Sequence, residues 1–399
     1  MTGVRVELER RPRESEVDAA GELEGAGGVS PETAAADLLG TDLAALREVA
    51  SDGTSAARVA AALGRPRRSL ADFAALLSPT AAEDLEPMAQ AAHALTLRRF
   101  GRAVRLFAPL YLSNHCVSTC TYCGFSAGND IARRTLAVEE VRAEAQELRE
   151  RGFRHLLLVS AEHARLVNRE YLRRCVAEAA TLFPSVSIET QVWDTATYAS
   201  LAAVGCEGVL VYQETYDPGV YAGAHLKGKK RNYAWRLEGP DRAAAAGMRR
   251  LGIGALLGLN PDWRADAIAL AAHAQALMRR WWRCELTISV PRLRPAAGFV
   301  PTAGVDDASF VQLLCALRLL LPDVGISLST REPAALRDAL IPLGVTTISA
   351  GSHTEPGGYA QATDATGQFE VADVRTPAEV AEALRSAGYD PVWKDWERV

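Results

Sequence analysis

Eight short apolar runs, separated by stretches with helical spacing, fill the chain between residues 105 and 352. The runs are RLFAPLYLSN (105–114), HLLLVS (155–160), SVSIETQ (185–191), GVLVYQE (208–214), IGALLGL (253–259), LTISVPR (286–292), GISLSTR (325–331) and TTISAGS (346–352). Runs that are apolar on both faces are typical of parallel strands covered by helices. Eight of them, alternating with helices, predict an α/β fold of the (β/α)8 TIM-type barrel class. A doubly wound open sheet is the alternative, although no G-x-G-x-x-G follows the first run.

Changes in composition and in the pattern of apolar residues divide the chain into four parts. Residues 1–30 are rich in charge, Gly and Ala without an apolar period, which predicts a loose N-terminal tail. Residues 31–104 are Ala- and Leu-rich with helical spacing and predict a helical extension, whereas residues 105–360 form the barrel. Residues 361–399 are a tail with a capping box at Thr376–Glu379, expected to pack on the barrel through Trp393 and Trp396.

The overall charge and hydropathy exclude several kinds of partner. A formal net charge of −5 gives no reason to expect nucleic acid or an anionic membrane. No apolar run reaches the roughly 18–20 residues that span a bilayer, and the N-terminus lacks the apolar core of a secretory signal. We therefore expect a cytoplasmic protein.

Three of the seven cysteines, Cys116, Cys120 and Cys123, fall within eight residues. Such a loop can wrap around a 4Fe–4S cubane and bind three of its irons, which leaves the fourth iron open to a small molecule. Zinc is the alternative, but a structural zinc site takes four ligands and His115 is badly placed as the fourth. The other cysteines lie among apolar neighbours and are expected to be buried; they are Cys175, Cys206, Cys284 and Cys315.

Polar residues follow the predicted strands at the end where barrel enzymes carry their active sites. They are Glu162, Gln191, Gln213, Glu214, Arg292, Ser329, Thr330, Arg331, Ser349 and Ser352. Any one of them is as readily a solvated loop residue. A whole rim of this kind, together with the cysteine loop, indicates an active site.

The spacing C-x3-C-x2-C, with Tyr122 before the last cysteine, resembles the signature of the radical S-adenosylmethionine superfamily. Longer segments, in the same order along residues 80–397, resemble one family within it, 2-iminoacetate synthase, the tyrosine lyase of thiamine biosynthesis. They include APLYLSNHCVSTCTYCGFS, VYQETYDPGVYAGAHLKGKK, WRLEGPDR, SVPRLRP, LSTRE and PVWKDWE. The resemblance implies a 4Fe–4S cluster and S-adenosyl-L-methionine as cofactors. It also implies cleavage of the Cα–Cβ bond of L-tyrosine to 2-iminoacetate and p-cresol, with methionine and 5′-deoxyadenosine as the other products.

The same resemblance suggests roles for the cofactor-binding residues. Cys116, Cys120 and Cys123 are expected to bind the cluster. Tyr122 is expected either to lie near the cofactor or to pack beneath the loop. Glu162 is expected to receive the amino group of the methionine moiety. Its segment reads Ser160-Ala161-Glu162, without the two glycines often found there. Gln213 and Glu214 are candidates for bonds to the ribose or to the methionine moiety, or for bracing the barrel mouth.

Arg331 is the candidate for the substrate carboxylate, because a guanidinium fork binds a carboxylate through two hydrogen bonds. Ser329 is expected to assist it. Arg292 is the second candidate, or a partner of the methionine carboxylate. For either arginine, an ion pair with an acidic side chain is the structural alternative.

The segment HLKGKKRN (225–232) is basic and is either solvated or a docking point for an acidic electron donor such as flavodoxin. The resemblance also suggests thiazole synthase as a partner.

The alternative function is that of a related radical S-adenosylmethionine lyase that cleaves tryptophan. A hydrogenase-maturation tyrosine lyase is disfavoured because no cysteine follows Cys315. A non-catalytic iron–sulfur or zinc protein is the alternative from another class.

Overall fold

The computed structural model describes residues 29–51, 53–302 and 304–393. Nearly the whole of the predicted loose tail, and Trp396, lie outside this part of the chain. The first described elements are six helices: α1 (Ala34–Leu39), α2 (Leu43–Val49), α3 (Ala56–Gly64), α4 (Leu70–Leu76), α5 (Pro79–Ala82) and α6 (Glu86–Phe100). Their starts follow local rules. Ser69 and Asp72 form a capping box at α4, and Ser78 caps α5 ahead of Pro79.

A sheet of nine strands follows within the described residues. The strands are β1 (Ala103–Ser113), β2 (His155–Ser160), β3 (Ser185–Glu189), β4 (Cys206–Glu214), β5 (Arg250–Ala255), β6 (Glu285–Ser289), β7 (Gly325–Leu328), β8 (Thr347–Ser349) and β9 (Asp390–Val392). Strands β1 to β8 are parallel neighbours in chain order, and β1 also pairs with both β2 and β8. This double pairing closes the sheet, so the (β/α)8 barrel is confirmed and the open sheet is excluded.

The helices after β1 are α7 (Val138–Glu150), α8 (Arg169–Leu182), α9 (Thr195–Ala202), α10 (Pro218–Ala224), α11 (Tyr233–Leu237), α12 (Gly239–Ala245), α13 (Trp263–Arg280), α14 (Asp307–Leu320), α15 (Ala334–Leu340) and α16 (Pro377–Ser386). Several of them bury one apolar stripe against the barrel, whereas α13 and α14 are buried on nearly every side. In α7 the buried residues Val141, Ala145 and Leu148 recur at helical spacing. No helix among the described residues has the length and apolar character needed to cross a bilayer.

The N-terminal helices form a layer outside α13 and α14. Helices α1 and α2 pack on α13, whereas α4 and α6 pack on α14. Buried polar contacts fix the layer: Nε2 of Gln312 on α14 donates to the carbonyl oxygens of Leu76 and Ser78, both at 2.9 Å. This layer lies on the flank of the barrel and contributes none of the candidate site residues.

The C-terminal segment returns to the start of the barrel. Helix α16 begins at the expected capping box of Thr376 and Glu379. Strand β9 then pairs in parallel with the first three residues of β1, Ala103 to Arg105, and is an extra strand that the sequence did not predict. Trp393 packs on Phe153 with ring centroids 5.3 Å apart, as expected for a packing residue.

Candidate active site

The loop that follows β1 carries Cys116, Cys120 and Cys123 and is held on two sides. On one side the amide of Val117 donates to the carbonyl oxygen of Glu162, after β2, at 2.9 Å. On the other side the loop pairs with the segment after α10. Thr121 N donates to Ala224 O at 3.0 Å, and Leu226 N donates to Thr119 O at 3.1 Å. The end of β2 and the segment after α10 thus shape the cysteine loop from sequence-distant positions.

Gly228 explains how the segment after α10 comes so close to the loop. Its backbone has φ of 88°, and a Cβ atom placed there would collide with the side chain of Ser118. Only glycine fits both conditions without strain.

All three thiols of the loop are free, and each is buried or half-buried. Burial, reinforced by the charge of Glu162, raises the pKa of Cys116 to about 11. Burial raises the pKa of Cys120 as well. Isolated thiolates are therefore unfavourable here, and bound iron is the partner that would stabilise them, because metal binding requires the deprotonated thiol.

The arrangement of the loop fits a cubane. Among the described residues, no three His, Cys, Asp or Glu side chains are grouped to hold one metal ion. In a cubane each cysteine thiolate binds a different iron, so the cysteine sulfurs lie further apart than the ligands of a single metal ion. Three cysteines on one loop are the donor set that such a cluster needs.

Tyr122, between two of the cysteines, is buried and bonded to a histidine that the sequence analysis did not single out. Its hydroxyl lies 2.9 Å from Nε2 of His225, whose Nδ1 lies 2.8 Å from the carbonyl oxygen of Tyr221. Burial and the charge of Lys230 lower the pKa of His225 to about 3. The ring is therefore neutral: Nδ1 donates to the carbonyl and Nε2 accepts from Tyr122. This contact fixes the tyrosine beneath the loop.

Four charged side chains form a buried network at the barrel mouth. Nζ of Lys230 lies 2.7 Å from Oε1 of Glu214, and the guanidinium of Arg236 lies 3.3 Å from Glu162 and 3.8 Å from Glu214. Burial alone would raise the pKa of Glu214, but the charges of Lys230 and Arg236 outweigh it and hold that pKa below its usual value. Oε2 of Glu162 also accepts a hydrogen bond from Ser118 at 3.1 Å.

Glu214 has an unusual backbone conformation. Its φ of 72° is the only positive value at a non-glycine residue in the described ranges. Strain of this kind clusters at functional sites, where the surroundings hold it in place. Its neighbour Gln213 is buried, and both polar atoms of its side chain lack a hydrogen-bond partner in the described structure. The end of β4 therefore combines strain with unused hydrogen-bonding capacity.

Arg331 follows β7, and its positive charge affects the pKa values of three side chains of the barrel strands. Burial raises the pKa of Tyr111, Glu189 and Tyr212, and the positive charge of Arg331 opposes that rise in all three. Its guanidinium carbon lies 3.4 Å from the ring centroid of Phe369. The Ser329 hydroxyl accepts a bond from the backbone amide of Arg331 at 3.4 Å. A cation whose charge acts on a half-buried carboxyl is an arrangement that an amino-acid zwitterion would match.

Arg292 is engaged by neighbouring acids. Its guanidinium forms an ion pair with Glu332, donates to Asp307 at 2.7 Å and to the carbonyl oxygen of Val305 at 2.9 Å. These contacts match the ion-paired alternative considered for the two arginines.

The comparisons with known proteins agree with this geometry. Residues 110–271 match the model of the radical SAM superfamily, and residues 289–390 match that of the Biotin and Thiamin Synthesis associated domain. A 2-iminoacetate synthase of Salmonella typhimurium is 46% identical over 347 residues, which cover 87% of this chain and 92% of that protein.

The chain belongs to the 2-iminoacetate synthase family.

The Escherichia coli 2-iminoacetate synthase gives the same identity over the same shares of the two chains. Among solved structures, HydG, a maturase of the FeFe-hydrogenase, superposes with a TM-score of 0.79 at 30% identity, covering 91% of this chain and 79% of HydG. The predicted family, barrel and lyase class are thus confirmed, as are the two cofactors. The enzyme takes a 4Fe–4S cluster and S-adenosylmethionine.

Several residues of this 2-iminoacetate synthase site escaped the sequence analysis. Glu189 was passed over although it lies within the third apolar run and ends β3, and alternation along β3 places it on the inner face with Ser185 and Ser187, which line the barrel interior. Arg236 and His225 carry no local signal, because only long-range packing brings them to the site. Lys230 was assigned with its basic neighbours to the surface, whereas its side chain points inward to Glu214.

Proposed function

We propose that this chain cleaves the Cα–Cβ bond of L-tyrosine to give 2-iminoacetate and p-cresol, for thiazole formation in thiamine biosynthesis. The observation that carries the proposal is a three-cysteine loop above a barrel mouth that also contains an arginine whose charge acts on a half-buried carboxyl. Family membership over 87% of the chain supports the same reaction.

When bound, the cluster and S-adenosylmethionine supply a 5′-deoxyadenosyl radical that takes hydrogen from the substrate. The protein binds, orients and excludes water. We assign the cluster to Cys116, Cys120 and Cys123, and the amino group of the methionine moiety to Glu162. The bonds that Glu162 makes with Ser118 and Arg236 keep its carboxylate in place beside the loop.

We assign the ribose or the methionine moiety to Glu214 and Gln213. Both polar atoms of Gln213 are buried without a described partner, so an added ligand would satisfy a group that is otherwise costly to bury. The ion pair with Lys230 keeps Glu214 charged and fixes its orientation. Tyr122, held by His225, forms the floor beneath the cofactor.

For the substrate we propose a bidentate bond between its carboxylate and Arg331, with Ser329 holding the backbone of that segment. Glu189 would face the substrate amine. Its pKa is raised to about 7, by burial first and then by the charge of Glu214, so it is poised to accept the ammonium proton near neutral pH. Removing that proton exposes the neutral amine, from which hydrogen abstraction starts the fragmentation.

We propose a supporting role for Arg292. Its ion-pair partner Glu332 is adjacent in sequence to Arg331, and its bonds to Asp307 and Val305 anchor the pair to the segment that opens α14. Arg292 would therefore position the carboxylate-binding arginine without contacting the substrate.

The electron donor we propose is an acidic protein of the flavodoxin type. Val117, within the cysteine loop, is 47% exposed, and Leu226, bonded to that loop, is 53% exposed. Lys227, Lys229 and Arg231 follow Leu226 in the chain and are exposed as well. An apolar centre with a basic rim, directly over the cluster loop, complements an acidic partner and shortens the path for the electron.

A complex with thiazole synthase is a further part of the proposal. Because 2-iminoacetate is readily hydrolysed in water, direct transfer to the next enzyme would protect it. Copurification of the two proteins, with a higher thiazole yield than from separated enzymes, is the expected result. Equal yields across a dialysis membrane would contradict direct transfer.

The proposed reaction is tested with anaerobically reconstituted protein, a reductant and S-adenosylmethionine, supplied with either L-tyrosine or L-tryptophan. We expect p-cresol and glyoxylate, the hydrolysis product of 2-iminoacetate, from tyrosine only. Indole-type products from tryptophan would assign the chain to the alternative lyase. Absence of 5′-deoxyadenosine with both substrates would refute catalysis.

A further inference from the structure

The side chain of Gln368 lies between a cluster cysteine and a barrel tyrosine. Its Nε2 is 3.8 Å from Sγ of Cys123, and its Oε1 is 2.8 Å from the hydroxyl of Tyr111 on β1. Gln368 belongs to the segment before α16, 245 residues after Cys123. The contact is therefore made by the C-terminal part of the chain and not by the loop itself.

The two contacts fix which end of the amide faces the sulfur. A glutamine amide has one accepting end and one donating end, whereas a tyrosine hydroxyl can donate. When Tyr111 donates to Oε1, Nε2 must point toward Cys123. With iron bound, Cys123 is a thiolate and can only accept, so this is the favourable orientation.

The backbone of Gln368 is also held in place at this position. Its amide donates to the carbonyl oxygen of Thr354, and its carbonyl accepts from the amide of Gly124, both at 3.1 Å. Gly124 is the residue after Cys123, and a Cβ atom there would lie 2.6 Å from the Gln368 carbonyl oxygen. The cysteine loop thus accommodates the Gln368 segment at main-chain contact.

We infer that Gln368 is a positioning residue that raises the reduction potential of the cluster through a hydrogen bond to the sulfur of Cys123. A donor at a ligand sulfur stabilises negative charge, and the reduced cluster carries one electron more than the oxidised one. Tyr111 acts through Gln368, because it orients the amide. The inference rests on the proposed assignment of the cluster to the three cysteines of the loop.

The test compares Gln368→Met and Tyr111→Phe with the wild type in fully reconstituted protein, without S-adenosylmethionine or substrate. Methionine keeps the length and neutrality of glutamine and removes the donor. Gln90→Met, at a glutamine on α6 far from the loop in the fold, and Tyr171→Phe, whose hydroxyl bonds Leu136 O at 2.7 Å, are the matched controls. Iron content and thermal unfolding verify that each variant is loaded and folded. The readout is the midpoint potential from EPR-monitored titration.

We expect Gln368→Met to lower the ratio of reduced to oxidised cluster about tenfold at a fixed potential, a shift of about 59 mV to more negative values for a one-electron couple. Tyr111→Phe should shift the potential in the same direction by less, and both controls should match the wild type. An unchanged potential in loaded Gln368→Met protein would overturn the inference. A shifted potential in Gln368→Met together with an unchanged potential in Tyr111→Phe would overturn the proposed role of Tyr111 in orienting the Gln368 amide. A wild-type chain that binds no iron–sulfur cluster would instead overturn the cysteine assignment, and this inference with it.

Discussion

The ammonium nitrogen of Lys230 lies 2.7 Å from Oε1 of Glu214 at the barrel mouth, although the carboxylate ends β4 and the lysine belongs to the segment after α10. The pair is nearly inaccessible to solvent, with 14% and 11% of the two side chains exposed. It joins the basic segment after α10 to the strained end of β4, and so links the support of the cysteine loop to the proposed cofactor site.

Replacing Lys230 by Met should destabilise the fold by about 3 kcal/mol, the low end for a broken buried pair, because Glu214 loses its nearest partner and keeps only Arg236 at 3.8 Å. Lys229→Met, at the exposed neighbouring lysine, should cost almost nothing. The double variant Lys230→Met/Glu214→Gln should regain part of the loss, since neither charge is then left alone. Urea denaturation measures all four proteins. Equal stability of the two single lysine variants would show that the ion pair contributes nothing.

Replacing Arg331 by Ala should lower p-cresol formation about 100-fold or more, because small misplacements at the reacting centre cost about that much. Cleavage of S-adenosylmethionine without substrate turnover should persist, since the cysteine loop is untouched. Arg142→Ala, which removes a surface ion pair with Glu178, is the control. Parallel quantification of 5′-deoxyadenosine and p-cresol is the measurement. Undiminished p-cresol would remove Arg331 from the substrate site.

Glu189 should make the stability of the metal-free chain fall as pH rises. Its pKa in the folded chain is about 7, above its ordinary value, because it is buried and faces Glu214, against the opposing charges of Arg331, Lys230 and Arg236. The folded state therefore holds this proton after the unfolded state has lost it, which favours folding at low pH. We expect about 2 kcal/mol to be lost between about pH 5 and 7.5, since one pKa unit is about 1.4 kcal/mol.

The control for this pH effect is Glu189→Gln, which cannot titrate. Its stability should fall less over the same range; Asp266, whose pKa burial raises to about 6, leaves a remainder of the same sign. Guanidinium unfolding at the two pH values gives the difference. Identical pH dependence of the wild type and the variant would place the Glu189 pKa near its ordinary value.

Gly124→Ala should loosen the C-terminal segment from the cysteine loop. The new methyl group would lie 2.6 Å from the carbonyl oxygen of Gln368 and 3.0 Å from that of Gly367. Both are backbone atoms that cannot rotate away, so the cysteine loop or the Gln368 segment must move. Gly128→Ala, in the same loop with open space around it, is the matched control. The Gly124→Ala protein should lose iron faster to a chelator than the Gly128→Ala protein. Equal rates would show that this contact does not protect the cluster.

The barrel was predictable because nearly all positions of β1 to β8 are buried or half-buried on both faces, so each of these strands carries its own apolar signal. In several cases the sequence pattern placed the end of a strand too far along the chain. The seventh run was expected to reach Arg331, whereas β7 ends at Leu328. After Leu328 the chain turns at Thr330 and Arg331, and alternation alone does not mark where pairing stops. The polar residues of the turn still lie at the end of the strand, so the site was found in spite of the error.

What sequence could not give is the direction of side chains in loops whose path depends on distant partners. Lys230 and Lys229 are adjacent and identical in type, yet only the first points to Glu214 while the second is exposed. The difference arises because the segment 224–228 pairs with the cysteine loop, which lies far earlier in the chain. Gln368 was missed for the same reason, and β9 is too short to show an apolar period.

The central claim is that three cysteines hold a cluster whose remaining iron binds the amino-acid end of S-adenosylmethionine. It is tested most directly by electron–nuclear double resonance on the reduced, reconstituted protein, with S-adenosylmethionine carrying 15N in its amine and 13C in its carboxyl group. Both nuclei should couple to the cluster in the wild type, and the cluster should be lost in Cys120→Ser but kept in Cys175→Ser. A protein that binds zinc, or a cluster with no coupling to either label, would contradict the account.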